Sequence, residues 1–384
     1  MDAFASNFVT SFSRAHETYI IFDRYDVYSI KSHERQRRAK GCVPRQYVIS
    51  CNTILPARDV FMKSDDNKTQ LIKYMCNVDI TNSQLHLIGD KSMYQHEEAD
   101  VKIISYLLQI CPSHNHVQVL ADDADIFVLL VFFVSYYKPL ALVSMRKYNG
   151  KIINISATVA KLGNKCSDLL AVHALSGCDT VSYPYGKGKI STINLMLKFD
   201  LDLGVFADPN SEESAWMAAG ISFISLLYGG KTTEALNDLR YRLFSHMREP
   251  PKIRNLPPTD ETAREHVKRA RLQVLIWRAA DKYNIPTLKL SNYGWIKEVD
   301  VITPIHGNVS VAPNTLLQHV ACGCKSEKPC SRATCSCRSA KMPCTSYCRC
   351  KAGEPCANDN VMLREQFQNS EEDYDEEGDE VTED

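Results

Sequence analysis

Val117-Gln-Val-Leu120-Ala-Asp122-Asp123-Ala-Asp125, followed at once by the apolar run Ile126 to Val134, decides how the first half of this chain is read. Val117 to Leu120 is β-rich and closes on three carboxylates, and the apolar run after it falls far short of the roughly 18 to 20 residues that a bilayer span needs. Working outward, Thr18 to Phe22 and Leu140 to Val143 are further short β-rich runs, and Tyr94 to Cys111 reads as a helix between them. Strands alternating with helices up to about residue 205 predict an α/β fold.

Four acidic clusters follow or abut apolar segments: Ile20-Ile-Phe-Asp23, Glu97-Glu98-Ala-Asp100, Asp122-Asp123-Ala-Asp125 and Gly177-Cys-Asp179. A single Asp-x-Asp is most often a solvated turn. Four clusters at strand ends are different, because the crevice of an open α/β sheet lies outside the carboxyl ends of its strands. Acids gathered there repel one another unless a cation sits among them, and hard oxygen donors favour Mg²⁺ or Mn²⁺.

In their order these motifs resemble the flap-endonuclease (XPG-like) branch of the PIN-like nucleases. The resemblance covers about residues 18 to 200: Asp23 before a basic segment, Glu98-Ala-Asp100 at the head of a helix, Asp123-Ala-Asp125 after a strand, then Gly177-Cys-Asp179 and the glycine-containing Tyr185-Gly-Lys-Gly-Lys189. It implies a mainly parallel sheet with flanking helices. It also implies that Asp23, Glu98, Asp100, Asp123, Asp125 and Asp179 hold one or two Mg²⁺ or Mn²⁺ ions for phosphodiester hydrolysis. The family carries a further metal-binding Asp on a strand upstream of the Asp23 position. Asp2 sits on no expected strand, so the chain reads as a copy shortened at its first strand, either an active hydrolase or a catalytically inactive scaffold.

Lys31, Arg35, Arg37, Arg38 and Lys40 stand at helical neighbour spacings directly after Asp23, suited to contacting the phosphates of a threaded strand, or alternatively forming a solvated face or a nuclear localisation signal. Gly186, Lys187, Gly188 and Lys189 form a second candidate backbone contact, in which glycines let N–H groups approach a phosphate. His173, in the apolar context Leu169-Leu-Ala-Val-His-Ala-Leu, is read as a satisfied core histidine, and Trp277 and Trp295 as core.

Nine of the fifteen cysteines lie in one segment, spaced Cys322-x-Cys324-x5-Cys330-x4-Cys335-x-Cys337-x6-Cys344-x3-Cys348-x-Cys350-x5-Cys356; the other six are scattered singly and read as reduced thiols. Cys-x-Cys pairs place two thiolates on one or two metal ions, and nine thiolates fill the coordination of about three tetrahedral Zn²⁺ ions if three sulfurs bridge. The segment is similar to the CXC cysteine-rich module of tesmin-like proteins, down to the Asn358 two residues beyond Cys356, though its gaps before Cys330 and Cys356 are longer and no second copy is present. That resemblance implies DNA binding. Lys325, Lys328, Arg332, Arg338, Lys341, Arg349 and Lys351 make the segment basic, and a metal-stapled or protein-docking module is the alternative.

The whole chain, 384 residues with a formal charge of −1 and 44% hydrophobic content, fits a folded globular protein and excludes disorder throughout. The charge hides an asymmetry. Ten of the 46 acids lie between Glu371 and Asp384, leaving 36 against 45 bases, a basic body with an acidic tail that either competes for a polyanion surface or meets a protein partner. From Ser211 to about Tyr283 the pattern turns helical, with Asp260 as an expected N-cap and Pro250, Pro251, Pro257 and Pro258 as a break. The expected organisation is an α/β domain at 1–205, a helical region and linker at 206–318, a zinc module at 319–360 and a disordered acidic tail at 361–384. Together these readings describe a DNA-binding, nuclease-like, mobile-element-derived protein of the nucleus with no membrane segment. The alternatives are an inactive PIN-like scaffold that binds DNA and an adaptor that engages proteins through its zinc module and tail.

Overall fold

The structure is a computed structural model, and it describes residues 15–25, 29–33, 45–50, 53–77, 85–89, 94–246, 255–283, 287–299, 301–307, 322–339, 344, 348–350 and 356–358. Arg35, Arg37, Arg38, Lys40, Lys341, Lys351 and the acidic tail therefore lie outside the described residues. Contacts divide the chain into two units, residues 1–240 with 260–307, and residues 241–259 with 308–384.

In the first unit β1 (Thr18–Ile21) is followed by the short helix α1 (Arg58–Phe61), α2 (Asp65–Asn77) and β2 (Leu85–Ile88), which pairs in parallel with β1. Next come α3 (Ala99–Ile110), β3 (His116–Leu120), α4 (Ala124–Tyr137), β4 (Leu142–Arg146) and β5 (Ile152–Asn154). β3 and β4 pair in parallel, and β5 returns antiparallel to β4. The remaining elements of the unit are α5 (Ile155–Leu162), α6 (Leu169–Leu175), α7 (Lys189–Lys198), α8 (Glu213–Leu227), α9 (Leu236–His246, which runs past the boundary), α10 (Asp260–Arg278) and the hairpin β6 (Trp295–Glu298) with β7 (Val301–Pro304). The fold is thus mixed α/β, as expected, with its described strands in three small sheets of two, three and two strands.

The core is built around α4. Its apolar run buries Leu129, Leu130, Val131 and Phe133 completely, because neighbours close it on every side: α3, α5 and α6 pack against it. No helix among the described residues is long and apolar enough to cross a membrane. α4 starts where Asp123 accepts the N–H of Asp125 at 2.9 Å and stops where Lys138 turns left-handed (φ 48°).

Residues 206–240 and 260–307, expected as a separate region, belong by their contacts to the first unit. α10 packs on α6 and α8. Its buried Arg271 donates to the carbonyls of Val205 (3.1 Å), Phe206 and Asp208 (2.8 Å), and Arg269 donates to those of Gly294 and Ile305. Guanidinium groups buried this way find acceptors in carbonyls of other segments, which ties the turn at Leu203–Ala207 and the β6–β7 hairpin to the helix.

Three local readings shift. The expected helix from Tyr94 begins only at Ala99, after an extended Glu98. The expected strand Leu140–Val143 runs Leu142–Arg146, leaving Leu140 in solvent. Asp260 does not cap its own helix; its carboxylate accepts the N–H of Leu236 at the start of α9, while its N–H donates to the Asn237 side chain. Trp277 and Trp295 are buried as expected.

In the second unit the described core is the cysteine segment. Cys322, Cys330, Cys335, Cys337, Cys344, Cys348 and Cys356 are buried against one another, with Cys324 and Cys350 packed on them. One helical turn, α11 (Ser336–Ser339), is formed there.

Candidate acidic site and cysteine centre

The acidic residues come from the ends of β1 and β3, the starts of α3 and α4, and the turn after α6. Helix N-termini carry unpaired N–H groups and the positive end of the helix dipole, so two of them facing one region make carboxylates tolerable there. Asp23, exposed beyond β1, accepts the Ala99 N–H at 2.7 Å and so caps α3 from a distant part of the chain. Asp123 caps α4. Glu98 is the most buried of the set, Asp100 and Asp125 are half-buried, and Asp23, Asp123 and Asp179 are exposed.

Glu98, Asp100, Asp125 and Asp179 act on one lysine and Asp123 acts on Asp100, although among the described residues no three of these carboxylates bring oxygens within 4.8 Å of one another. Lys31, in the helical residues 30–33, places Nζ 3.2 Å from Glu98 and 3.6 Å from Asp179, with its side chain only 18% exposed. Burial alone would lower its pKa, but Glu98, Asp179 and Asp100 outweigh that and raise it. Burial, with the like charges of Glu98, Asp123 and Asp125, lifts Asp100 to about 7 despite Lys31. Glu98 is raised by burial against the opposing pull of Lys31. Lys31, expected on an outward basic segment, instead pairs with Glu98 and Asp179 of the acidic site.

His173, expected as a satisfied core histidine, is buried and bonds the Asp125 carboxylate through Nε2 at 2.6 Å, its ring 5.5 Å from that of Trp277. Burial would raise the Asp125 pKa, yet the hydrogen bond and charge of His173, with Lys189 and Lys31, hold it below the usual carboxylate value. The sequence carries a signal for this role only in hindsight, since a polar ring in an otherwise apolar helix needs a partner.

Asp122 turns away and accepts the Tyr148 N–H at 3.1 Å. In the glycine–lysine segment, Gly186 and Gly188 are exposed with open space where a Cβ would stand, and Gly188 precedes α7. Lys187 lies over the Tyr228 ring at 5.1 Å. Lys189 points inward and donates to the carbonyls of His173 (2.8 Å) and Gly177, and burial lowers its pKa against the pull of Cys178, Asp125 and Asp123.

Among the described residues, the groups of three or more potential ligand atoms lying within 4.8 Å of one another are all cysteine sulfurs. They form three overlapping tetrads: Cys322, Cys330, Cys335 and Cys344; Cys322, Cys344, Cys348 and Cys350; Cys330, Cys344, Cys350 and Cys356. Sγ separations of 3.5 Å (Cys322–Cys330), 3.8 Å (Cys322–Cys344), 3.9 Å (Cys322–Cys350) and 3.4 Å (Cys337–Cys348) are far beyond a disulfide. They sit near the edge of a tetrahedron whose metal–sulfur bonds are about 2.3 Å, roughly 3.8 Å. The cluster is compatible with zinc. Without a metal, burial pushes the Cys337 thiol up to about 12 and also raises those of Cys330 and Cys344, so a cation is what makes thiolates affordable there.

The backbone is shaped to the sulfurs. Cys330 adopts a left-handed conformation (φ 68°) that a non-glycine residue holds only where its surroundings over-determine it. Arg338 donates to the carbonyls of Cys330 (3.0 Å) and Ala357 (3.4 Å), and Asn358 donates through Nδ2 to Cys344 Sγ at 3.3 Å. Lys325, Lys328, Arg332 and Arg349 are exposed around this frame. Comparison with family models, with curated proteins and with solved structures returned no match.

Proposed function

We propose that this chain is a metal-dependent, structure-specific nuclease-like protein of PIN-like fold that hydrolyses DNA phosphodiesters and holds DNA with a zinc-cluster tail. The observation that carries the reading is that carboxylates from three segments, Glu98 and Asp100 at the start of α3, Asp123 and Asp125 at the start of α4, and Asp179 after α6, act electrostatically on one another or on Lys31, whose Nζ lies 3.2 Å from Glu98 and 3.6 Å from Asp179. Parallel pairing of β1 with β2 and of β3 with β4, with α3 touching β1 and β3, supports the PIN-like assignment.

The donors suit Mg²⁺ or Mn²⁺, being oxygens alone and outnumbering the two lysines, Lys31 and Lys189, that act on them. Glu98, Asp100, Asp123, Asp125 and Asp179 would hold the ion, with Asp23 at the rim. Such an ion, when bound, supplies Lewis acidity toward a phosphodiester and lowers the pKa of water. The chain's own residues bind and orient. Arg35, Arg37, Arg38 and Lys40 would lie along the phosphates of the strand being cut, and the exposed Gly186–Gly188 backbone would receive a duplex backbone.

Nine thiolates would hold about three Zn²⁺ ions with shared sulfurs; the overlapping tetrads support the sharing for seven of them, while Cys324 and Cys337 stand outside the tetrads. Lys325, Lys328, Arg332 and Arg349 would then meet DNA, while Arg338 braces the module. The acidic tail would compete with DNA or engage a protein, in a mobile-element-derived protein acting in the nucleus.

Lys31 favours a second reading, in which its ammonium serves permanently as the cation and the domain is a DNA-binding or protein-interaction scaffold. Cleavage of labelled flap, hairpin and single-stranded DNA with Mg²⁺ or Mn²⁺ separates the two. Cutting that disappears in Asp123→Asn/Asp125→Asn is expected. Intact DNA under protein that still binds it, with affinity that falls as salt rises, would select the scaffold.

A further inference from the structure

We infer that His173 is a positioning residue for Asp125, setting the orientation of that carboxylate toward a divalent cation; the inference rests on the metal-site reading above. The Asp125 side chain extends from the first turn of α4 and has one oxygen 2.6 Å from His173 Nε2, and a carboxylate pinned at one oxygen presents the other in a fixed direction. His173 is itself held on three sides. Its helix α6 lies in the core between α4 and α10, its ring packs 5.5 Å from Trp277, and its carbonyl accepts the Lys189 ammonium at 2.8 Å. Lys189 also bonds the Gly177 carbonyl, two residues before Asp179. One buried lysine thus fixes the backbone of His173 and of the Asp179 turn together, so two carboxylates from separate segments are set by one network.

Direct ligation by His173 is the competing role, and the geometry speaks against it: Nε2, the atom that faces the acids, is taken up by Asp125. Partners that orient a metal-binding side chain typically account for about 10- to 100-fold in metal affinity.

Mn²⁺ binding to the full-length, zinc-loaded protein, read by the loss of the free-ion electron paramagnetic resonance signal, tests this. His173→Phe is expected to weaken Mn²⁺ by about 10- to 100-fold. His173→Gln, whose amide reaches the Nε2 position, is expected to recover most of that loss, and His173→Asn, which is too short, is not. In an Asp125→Asn background, His173→Phe should cost nothing further, because the residue acts through Asp125. If His173→Phe does not fold, the Gln and Asn variants carry the comparison. Unchanged Mn²⁺ affinity in His173→Phe, or a loss repeated in full without Asp125, would overturn the positioning role while leaving the metal site standing. Wild-type protein that binds no Mn²⁺ would overturn the site and this role with it.

Discussion

At the scale of single residues, Lys31 links two acidic segments of the first unit. An ammonium 3.2 Å from Glu98 and 3.6 Å from Asp179 opposes the burial and like charge that raise the pKa values of Glu98 and Asp100. Removing one partner of such a buried pair leaves the other uncompensated, so Lys31→Met should destabilise metal-free protein by roughly 3 kcal/mol in chemical denaturation. Saturating Mn²⁺ should restore most of that, since a ligand that binds only the folded state adds stability to it, and a cation arriving in the place of Lys31 relieves the same repulsion. A deficit that Mn²⁺ leaves untouched would place the ion elsewhere. Gly177 is a second sharp test. Its φ of +99° is glycine territory, and an added Cβ would stand 2.9 Å from the Tyr183 Cα, a backbone atom that cannot give way. Gly177→Ala should therefore cost about 1–3 kcal/mol in thermal or chemical unfolding. Of these residues, the acids and Gly177 stand out in the sequence, because charge after an apolar run and glycine before an acid are local features. Lys31 was legible as a base, though not as the partner of acids up to 148 positions away.

At the scale of elements, α10 shows how a segment with little visible chemistry can hold the site together. His266 on this helix is fully enclosed, with Nε2 3.0 Å from the Leu175 carbonyl and Nδ1 3.1 Å from Ser182 Oγ, on either side of the Gly177–Asp179 turn. Burial, with a smaller push from Arg269 against the pull of the Leu175 carbonyl, lowers its pKa from 6.5 to about 4. Below pH 6.5 the unfolded chain takes up a proton that the folded chain refuses. Stability is therefore present above pH 6.5 and lost as pH falls toward 4, by on the order of 3 kcal/mol for this group. Urea titrations across that window should show the loss, and His266→Gln should flatten it; an identical slope in the variant would remove His266 as its source. The helical character of this segment was legible from its apolar periodicity. That Asp260 caps α9 instead of its own helix, and that Arg269 and Arg271 spend their donors on carbonyls of other segments, was not, since a hydrogen bond goes to whatever acceptor packing brings near.

At the scale of the whole molecule, the two units rely on different physics. The first buries an apolar core around α4, while the described core of the second is its cysteines. A core of thiols buries too little hydrocarbon to fold alone, so the module's folding should be metal binding. Chelation should abolish the C-terminal transition in calorimetry and leave that of the first unit within a degree or so, and metal analysis should return about three Zn²⁺ per chain. Two Zn²⁺ per chain would indicate separate sites, with one cysteine spare. The sequence by itself determined the donor chemistry: which carboxylates follow apolar strands, which thiols stand at ligand spacing, and that the chain mixes helices with strands. Such features are written into a few consecutive residues and need no partner to be read. Tertiary structure alone decided that Lys31 enters the acidic site, that His173 holds Asp125 from 48 residues away, and that α10 belongs to the first unit. Those pairings depend on which surfaces pack together, and packing is a property of the whole chain rather than of any segment.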